Sequence, residues 1–201
     1  MSAKRKVGVL ISGRGSNLRS LIEACADADY PAEIVIVISN VAGAGGLVHA
    51  ANAGIPAKVI PHKALPSREA FDAAIDAALR DAGVEIICEA GFMRIHGEGF
   101  VRKWEGRIIN IHPSLLPAFK GTHVHEHVLA AGMTMSGCTV HFVAAEVDSG
   151  PIIAQSVVPV LNDDTPEALA ARVLEEEHKL YPMALKLVIE GRVRPSMLSR
   201  L

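Results

Sequence analysis

An asparagine and a histidine two residues apart form the pair with the clearest potential for chemistry. They are Asn110 and His112 in the segment Asn110-Ile111-His112-Pro113-Ser114, at the end of a short apolar run. Residues i and i+2 of an extended segment point to the same face, so a carboxamide donor and an imidazole can address one small group. The alternative is a capped turn with a structurally bonded histidine, because most single histidines are not catalytic.

A second chemical candidate is the acidic turn Glu146-Val147-Asp148-Ser149-Gly150-Pro151. Asp-Ser-Gly-Pro is typical of turns, so a solvated turn is the simpler interpretation. Asp148 gains a catalytic meaning only if the fold brings it to His112.

The third candidate is the loop Ser12-Gly13-Arg14-Gly15-Ser16-Asn17, which joins an apolar strand to a helix. Glycines allow the backbone to approach an anion, and free N–H groups at a helix start favour phosphate. A tight turn with Ser or Asn as helix cap remains open. The loop is neither GxGxxG nor GxxxxGK[ST], which disfavours a dinucleotide site and a P-loop.

Two further features have structural as well as functional interpretations. Glu177 falls on the buried stripe of the last helix, where a carboxylate is costly unless it is paired or used; the alternative is a position at the stripe edge. The cluster His123-Val124-His125-Glu126-His127 is not HExxH and has no nearby cysteine. We therefore predict no metal site.

The elements that must position these groups alternate between strands and helices. Short apolar runs predict buried strands, and amphipathic segments between them predict helices. The strands are expected at Val7–Ile11, Ile34–Ile38, Ala57–Ile60, Val84–Cys88 and Ile108–Ile111. The helices are expected at Leu18–Ala26, Gly45–Ala53, from Pro66-Ser67 onward, and near Phe100–Trp104. This order predicts an α/β fold with a mostly parallel twisted sheet and helices on both faces.

The pattern changes in the last third of the chain. Gly137–Val143 and Ile152–Val160 predict an antiparallel hairpin at one sheet edge, joined through Ala144–Pro151. Asp164-Thr165-Pro166-Glu167 is a helix-start signature, and we expect this helix to kink or restart at Pro182 and to end near Gly191. No linker or repeat divides the chain, so residues 1–201 are expected to form a single domain.

Composition narrows the functional classes. The 201 residues include 20 Lys and Arg against 22 Asp and Glu, and eight aromatic residues: five Phe, two Tyr and one Trp. A nucleic-acid or membrane-surface binder would show a basic excess, so small-molecule partners are expected. Three cysteines without a CxxC, and no apolar run of membrane-spanning length, predict a cytoplasmic protein.

Five segments occur together and in order: SGRGSNL at 12–18, GFMRI at 91–95, NIHPSLLP at 110–117, GCTVHFV at 137–143 and EVDSGPII at 146–153. Together they closely resemble the folate-dependent formyltransferases, in particular those that act on glycinamide ribonucleotide in purine synthesis. The resemblance implies a Rossmann-like fold, 10-formyltetrahydrofolate as co-substrate and no metal. It also implies formyl transfer to the amine of glycinamide ribonucleotide by direct attack through a tetrahedral intermediate.

The resemblance also implies roles for individual residues. The catalytic positions are Asn110, His112 and Asp148. The positions that contact the ribonucleotide are Gly15, Ser16, Asn17, Leu174, Glu175, Glu176 and Glu177. The positions that line the folate site are Arg68, Met93, Arg94, Ile95, His96, Asn110, Ala144, Ala145, Glu146, Val147 and Asp148.

Three other functions stay open at this point. A formyltetrahydrofolate hydrolase shares the Asn, His and Asp, although such enzymes usually carry an additional N-terminal domain. A formyltransferase for a larger amine acceptor, such as initiator methionyl-tRNA, normally adds a C-terminal domain and basic surface. The third alternative is a nucleotide-binding module without catalysis.

Overall fold

The computed structural model describes residues 3–198 of the chain. These residues form two compact units, which are divided between Ile109 and Asn110. The glycine-loop candidate lies in the first unit, and the Asn-His pair and the acidic turn lie in the second.

The first unit alternates strands with helices, as the sequence predicts. Its elements are β1 (Arg5–Ile11), α1 (Ser16–Cys25), β2 (Ala32–Ser39), α2 (Gly46–Asn52), β3 (Ala57–Val59), a 3₁₀ turn (His62–Ala64), α3 (Arg68–Asp81), β4 (Ile86–Glu89) and α4 (Glu98–Lys103). The strand order is β3-β2-β1-β4, and each of these neighbouring pairs is parallel. Parallel pairing follows from the helical crossovers between successive strands.

The central strands of this unit are buried. Val7, Val9, Leu10 and Ile11 of β1 are fully inaccessible to solvent. A strand covered on both faces has an uninterrupted apolar run instead of an alternating one. For this reason the strand could be identified from the sequence.

The helix α3 begins where its sequence indicates. The side chain of Ser67 accepts a hydrogen bond from the backbone N–H of Ala70, which caps the helix. Its apolar stripe is buried, and Asp72 is buried on the same helix.

The chain enters the second unit along β5 (Ile108–His112). The remaining elements are α5 (Val124–Ala130), β6 (Met135–Phe142), β7 (Ile152–Pro159), α6 (Pro166–Ile189) and α7 (Pro195–Leu198). The neighbours in the sheet are β5-β6-β7, and β6 pairs with β7 in antiparallel register, with Thr139 opposite Gln155. The predicted fold class, a mostly parallel sheet with an antiparallel edge hairpin, is therefore confirmed.

The long helix α6 packs against both hairpin strands. It starts at the predicted cap, where Thr165 accepts from the N–H of Ala168 and Pro166 occupies the first turn. It is one continuous helix through Pro182, so no restart occurs there. Tyr181 and Leu185, buried beside the proline, provide packing that offsets the missing backbone hydrogen bond. None of the helices among residues 3–198 has the length and apolar character needed to cross a membrane.

Candidate active site

His112 is the last residue of β5, and its ring is nearly inaccessible to solvent. Its Nε2 lies 2.9 Å from the carbonyl oxygen of Phe119, which can only accept, so Nε2 carries a proton. Its Nδ1 lies 3.4 Å from Oδ2 of Asp148. Both ring nitrogens therefore face acceptors, the carbonyl of Phe119 and the carboxylate of Asp148.

Asp148 lies next to His112, which is the contact that the sequence analysis required for a catalytic interpretation of the acidic turn. Its backbone is in the left-handed region (φ 49°), which turns the hairpin loop and directs the carboxylate toward His112. The same Oδ2 accepts a 2.9 Å hydrogen bond from the backbone N–H of Gly121. The carboxylate is thus held by a second loop, and its side chain is about nine-tenths buried.

Asn110 is oriented by a residue that the sequence analysis left without a role. Its Nδ2 lies 3.3 Å from Nε2 of His141 on β6. Nδ1 of His141 donates to the carbonyl of Phe142 at 2.9 Å, so in the neutral ring Nε2 is the nitrogen that accepts from the amide. An amide nitrogen has two protons, so Asn110 keeps a second donor for a ligand.

A buried network holds the loop that ends at Phe119. The hydroxyl of Thr139 donates to the carbonyl of Ser114 and accepts from the backbone N–H of Leu116. Gln155 donates to the Thr139 hydroxyl and to the Leu116 carbonyl. These bonds connect the loop to the β6–β7 hairpin, and so the carbonyl that orients His112 has a fixed position.

The loop expected to line the pteridine is the connection between β6 and β7. Ala145, Glu146 and Val147 are exposed, Ala144 is half-buried, and Asp148 points inward. Lys120 forms a 3.3 Å ion pair with Glu146. Three neighbouring side chains of this loop are therefore accessible to a ligand, while Asp148 is held by Gly121 and His112.

The stretch on α6 expected to contact the ribonucleotide shows a graded burial. Leu174 and Glu176 are half-buried, Glu175 is exposed and Glu177 is buried. Glu177 therefore faces inward as predicted, and its charge adds to the burial that raises the pKa of Cys138 to about 12. Glu176 accepts from the hydroxyl of Ser156 at 2.7 Å.

In the first unit, Gly15 precedes α1 in a conformation that suits glycine. Its φ is +78°, and a Cβ there would lie 2.4 Å from the Cα of Gly46. Ser16 and Asn17 form the first turn of α1, with Asn17 buried. Gly15 is thus needed for close packing of the loop against α2, besides any contact with an anion.

The segment expected to line the folate site is held at both of its ends. Ser12 accepts from the N–H of Met93 at 2.8 Å, and Asp72 accepts from the N–H of Gly97 at 2.7 Å. Between these points the exposed residues are Met93, Arg94 and Ile95. Arg68, at the start of α3, is half-exposed.

His96 differs from its neighbours because its side chain is almost completely buried. Burial by itself would lower the pKa of His96, but hydrogen bonds and charges from Asp72 and Glu89 raise it to about 9. The sequence gives no direct sign of this arrangement, since Asp72 lies on a helix far from His96 along the chain.

The histidines near α5 are spread over different environments. His123 and His127 are exposed, and His125 is half-buried, which lowers its pKa. Among residues 3–198, His, Cys, Asp and Glu form no group of three or more that could hold a metal ion.

Comparison with known proteins assigns the fold and the motifs to one family. Residues 5–185 match the family model of formyl transferases. The chain is 56% identical over 191 residues to the trifunctional purine biosynthetic protein adenosine-3 of Bos taurus, covering 95% of this chain and 19% of that protein. It thus spans about a fifth of the length of that relative.

Shorter relatives match over nearly their whole length. The phosphoribosylglycinamide formyltransferase of Haemophilus influenzae is 43% identical over 94% of this chain and 90% of its own. The crystal structure of glycinamide ribonucleotide transformylase 1 from Symbiobacterium toebii superposes with a TM-score of 0.93 at 46% identity, covering 96% of this chain and 91% of that one. The chain belongs to the formyl transferase family and is similar, over nearly its full length, to the members named phosphoribosylglycinamide formyltransferase.

Proposed function

We propose that this chain transfers a formyl group from 10-formyltetrahydrofolate to the amine of glycinamide ribonucleotide, a step of purine synthesis. The observation that carries the proposal is the grouping of Asn110, His112 and Asp148 at the end of β5. The carboxylate of Asp148 lies 3.4 Å from the ring of His112. His141 connects the third member, because its Nε2 lies 3.3 Å from the amide of Asn110 and 3.7 Å from the other oxygen of Asp148. These are the groups needed for attack of a neutral amine on a formyl carbon.

Asn110 acts on the oxygen of the formyl group in this proposal. Attack by the amine forms the new C–N bond and moves the carbonyl electrons onto oxygen, which becomes an oxyanion. The second N–H of Asn110 donates to that oxygen, while His141 keeps the amide in place. A preorganised donor of this kind contributes roughly 10²–10³ in rate.

His112 and Asp148 act on the proton and the charge. Collapse of the intermediate breaks the bond between the formyl carbon and N10 of the folate, so N10 must gain a proton. The imidazolium of His112 supplies it, and the carboxylate of Asp148 stabilises the charged ring at 3.4 Å. The amine loses one proton and N10 gains one, so the overall reaction neither consumes nor releases a proton.

The binding roles are proposed on the family resemblance and the exposure of the residues. Gly15, Ser16 and Asn17 bind the phosphate through the start of α1. Leu174, Glu175, Glu176 and Glu177 contact the ribose and glycinamide. The residues proposed for folate binding are, in the first unit, Arg68, Met93, Arg94, Ile95 and His96, and, in the second unit, Ala144, Ala145, Glu146, Val147 and Asp148. The exposed side chains of Met93 and Ile95 offer apolar surface to the flat ring of the folate.

We further propose that residues 1–201 act as one formyltransferase domain that needs no metal. Its partners are then two small molecules, and neither nucleic acid nor a membrane takes part. The three cysteines, of which Cys88 and Cys138 are buried, suit the reducing cytoplasm that we propose as the compartment.

The test is release of tetrahydrofolate, measured with and without glycinamide ribonucleotide. We expect release to depend on the ribonucleotide and formylglycinamide ribonucleotide to accumulate in equal amount. Equal folate turnover without the acceptor would identify a hydrolase instead. Formylation of a different amine, with none of glycinamide ribonucleotide, would identify another acceptor.

A further inference from the structure

We propose that His96 is a positioning residue for residues 93–97, the segment that is proposed to line the folate site. In this proposal the ring of His96 is a cation held between Asp72 of α3 and Glu89 of β4. This inference rests on the proposed function, because it concerns how that segment is fixed. His96 itself does not touch the reacting atoms.

The geometry around His96 is that of a closed clamp. Its Nδ1 lies 2.7 Å from Oδ1 of Asp72, and its Nε2 lies 3.1 Å from Oε1 of Glu89. The His96 ring is also stacked between Phe92 and Phe100, with centroids 5.3 and 4.1 Å away. The Asp72 contact is a hydrogen bond and the Glu89 contact lies at ion-pair distance, so a doubly protonated ring is attracted to both carboxylates.

The charges around the ring support the same protonation state. Asp72 and Glu89 are both buried, and a buried carboxylate without a cation is strongly unfavourable. The other charged groups nearby are Arg68, which approaches Gly97, and Glu98 of α4, which is exposed and paired with Arg102. The buried ring of His96 lies within ion-pair distance of both carboxylates.

The clamp, which consists of Asp72, Glu89 and His96, restricts the segment 93–97 because its contacts are made at the C-terminal end of that segment. Asp72 uses its second oxygen to accept from the N–H of Gly97, so the carboxylate that holds the ring also holds the backbone. Ser12 fixes the other end at Met93. The backbone of the exposed residues between these two points is therefore fixed at both ends. This lowers the conformational entropy that the segment loses when it binds a ligand.

The first experiment is an NMR titration of the histidine rings in the full chain. We expect the midpoint of His96 to lie near 9, well above the 6.5 of an ordinary imidazole. In Glu89→Gln, which keeps a hydrogen-bonding side chain, the midpoint of His96 should fall by at least one pH unit. A midpoint of His96 close to 6.5 would overturn the proposal.

The second experiment measures binding of tetrahydrofolate and of glycinamide ribonucleotide by calorimetry. His96→Gln removes the charge, and we expect its Kd for tetrahydrofolate to rise about tenfold while its Kd for the ribonucleotide changes less than twofold. Glu89→Gln should show the same split to a smaller degree, and the control His127→Gln should match the unmodified chain.

The outcomes separate this inference from the proposed function. Equal weakening of both ligands, or unchanged folate binding in both clamp variants, would refute the positioning role. If the unmodified chain bound no tetrahydrofolate at all, the proposed function would fail, and the titration would still decide whether the charged clamp exists. If His96→Gln does not fold, Glu89→Gln and the titration of the unmodified chain carry the test.

Discussion

Replacing Asp148 by Asn tests the link between the acidic turn and His112. Asn has nearly the same shape, and its carbonyl oxygen can still accept from the N–H of Gly121, so the loop keeps its anchor. The change removes a full negative charge 3.4 Å from Nδ1 of His112. The perturbation is therefore electrostatic.

The magnitude follows from the distance. At an effective dielectric constant of about 20, two unit charges 3.4 Å apart attract by about 5 kcal/mol, which is an upper bound because solvation opposes it. Loss of part of this attraction from the transition state predicts a fall in kcat of roughly 10²–10³, since about 1.4 kcal/mol corresponds to tenfold. Binding of the ribonucleotide should change little.

The assay is tetrahydrofolate release in single turnover, with calorimetric binding of both ligands. Asp163→Asn is the matched control, because Asp163 is exposed on the same unit and should give full activity. His112→Ala should be as severe as Asp148→Asn, and the double variant should lose much less than the product of the two factors, since the pair acts as a unit. Full additivity, or a fall in kcat below threefold, would refute the pairing.

Four other outcomes are expected. Gly15→Ala should lower the free energy of unfolding in urea by at least about 1–2 kcal/mol, because of the left-handed φ and the contact with Gly46, and should weaken ribonucleotide binding more than folate binding; the control Gly13→Ala, with open space around it, should be near neutral. His141→Phe should lower kcat by about tenfold or more, with folate binding unchanged, because Asn110 loses its orienting acceptor; an unchanged kcat would mean that the contact has no catalytic role. The pKa of His96 is raised from 6.5 to about 9, so protonation of its ring contributes about 3 kcal/mol to the free energy of unfolding. This contribution is complete below pH 6.5 and is lost as the pH rises through 9. Urea unfolding from pH 6 to 10 should show this loss of stability in the unmodified chain and not in His96→Gln. Chelation with EDTA should leave formyl transfer intact, and loss of activity restored by zinc would contradict the metal-free mechanism.

Most of the fold could be predicted because its signals are local. Buried parallel strands such as Val7–Ile11 have uninterrupted apolar runs, and the caps at Ser67 and Thr165 depend on residues three positions apart. The restart at Pro182 was not realised, because burial of neighbouring side chains is a tertiary contribution that a single proline does not reveal.

The candidate site divides in the same way. The sequence alone determined that Asn110 and His112 share a face at a strand end, because that follows from the two-residue period of an extended chain. It also identified Glu177 as an inward carboxylate from helical spacing, and the structure shows it buried.

Only the tertiary structure decided which distant groups meet. Asp148 reaches His112 because its own backbone is left-handed and because the N–H of Gly121 holds its carboxylate. The spacing of apolar residues in the sequence predicts neither of these features. The contact of His141 with Asn110 and the clamp around His96 could not be predicted from the sequence either, since each depends on side chains brought together from separate elements. Local patterns are set by backbone geometry within a few residues, whereas the charge and orientation of a buried ring are set by whatever the fold packs against it.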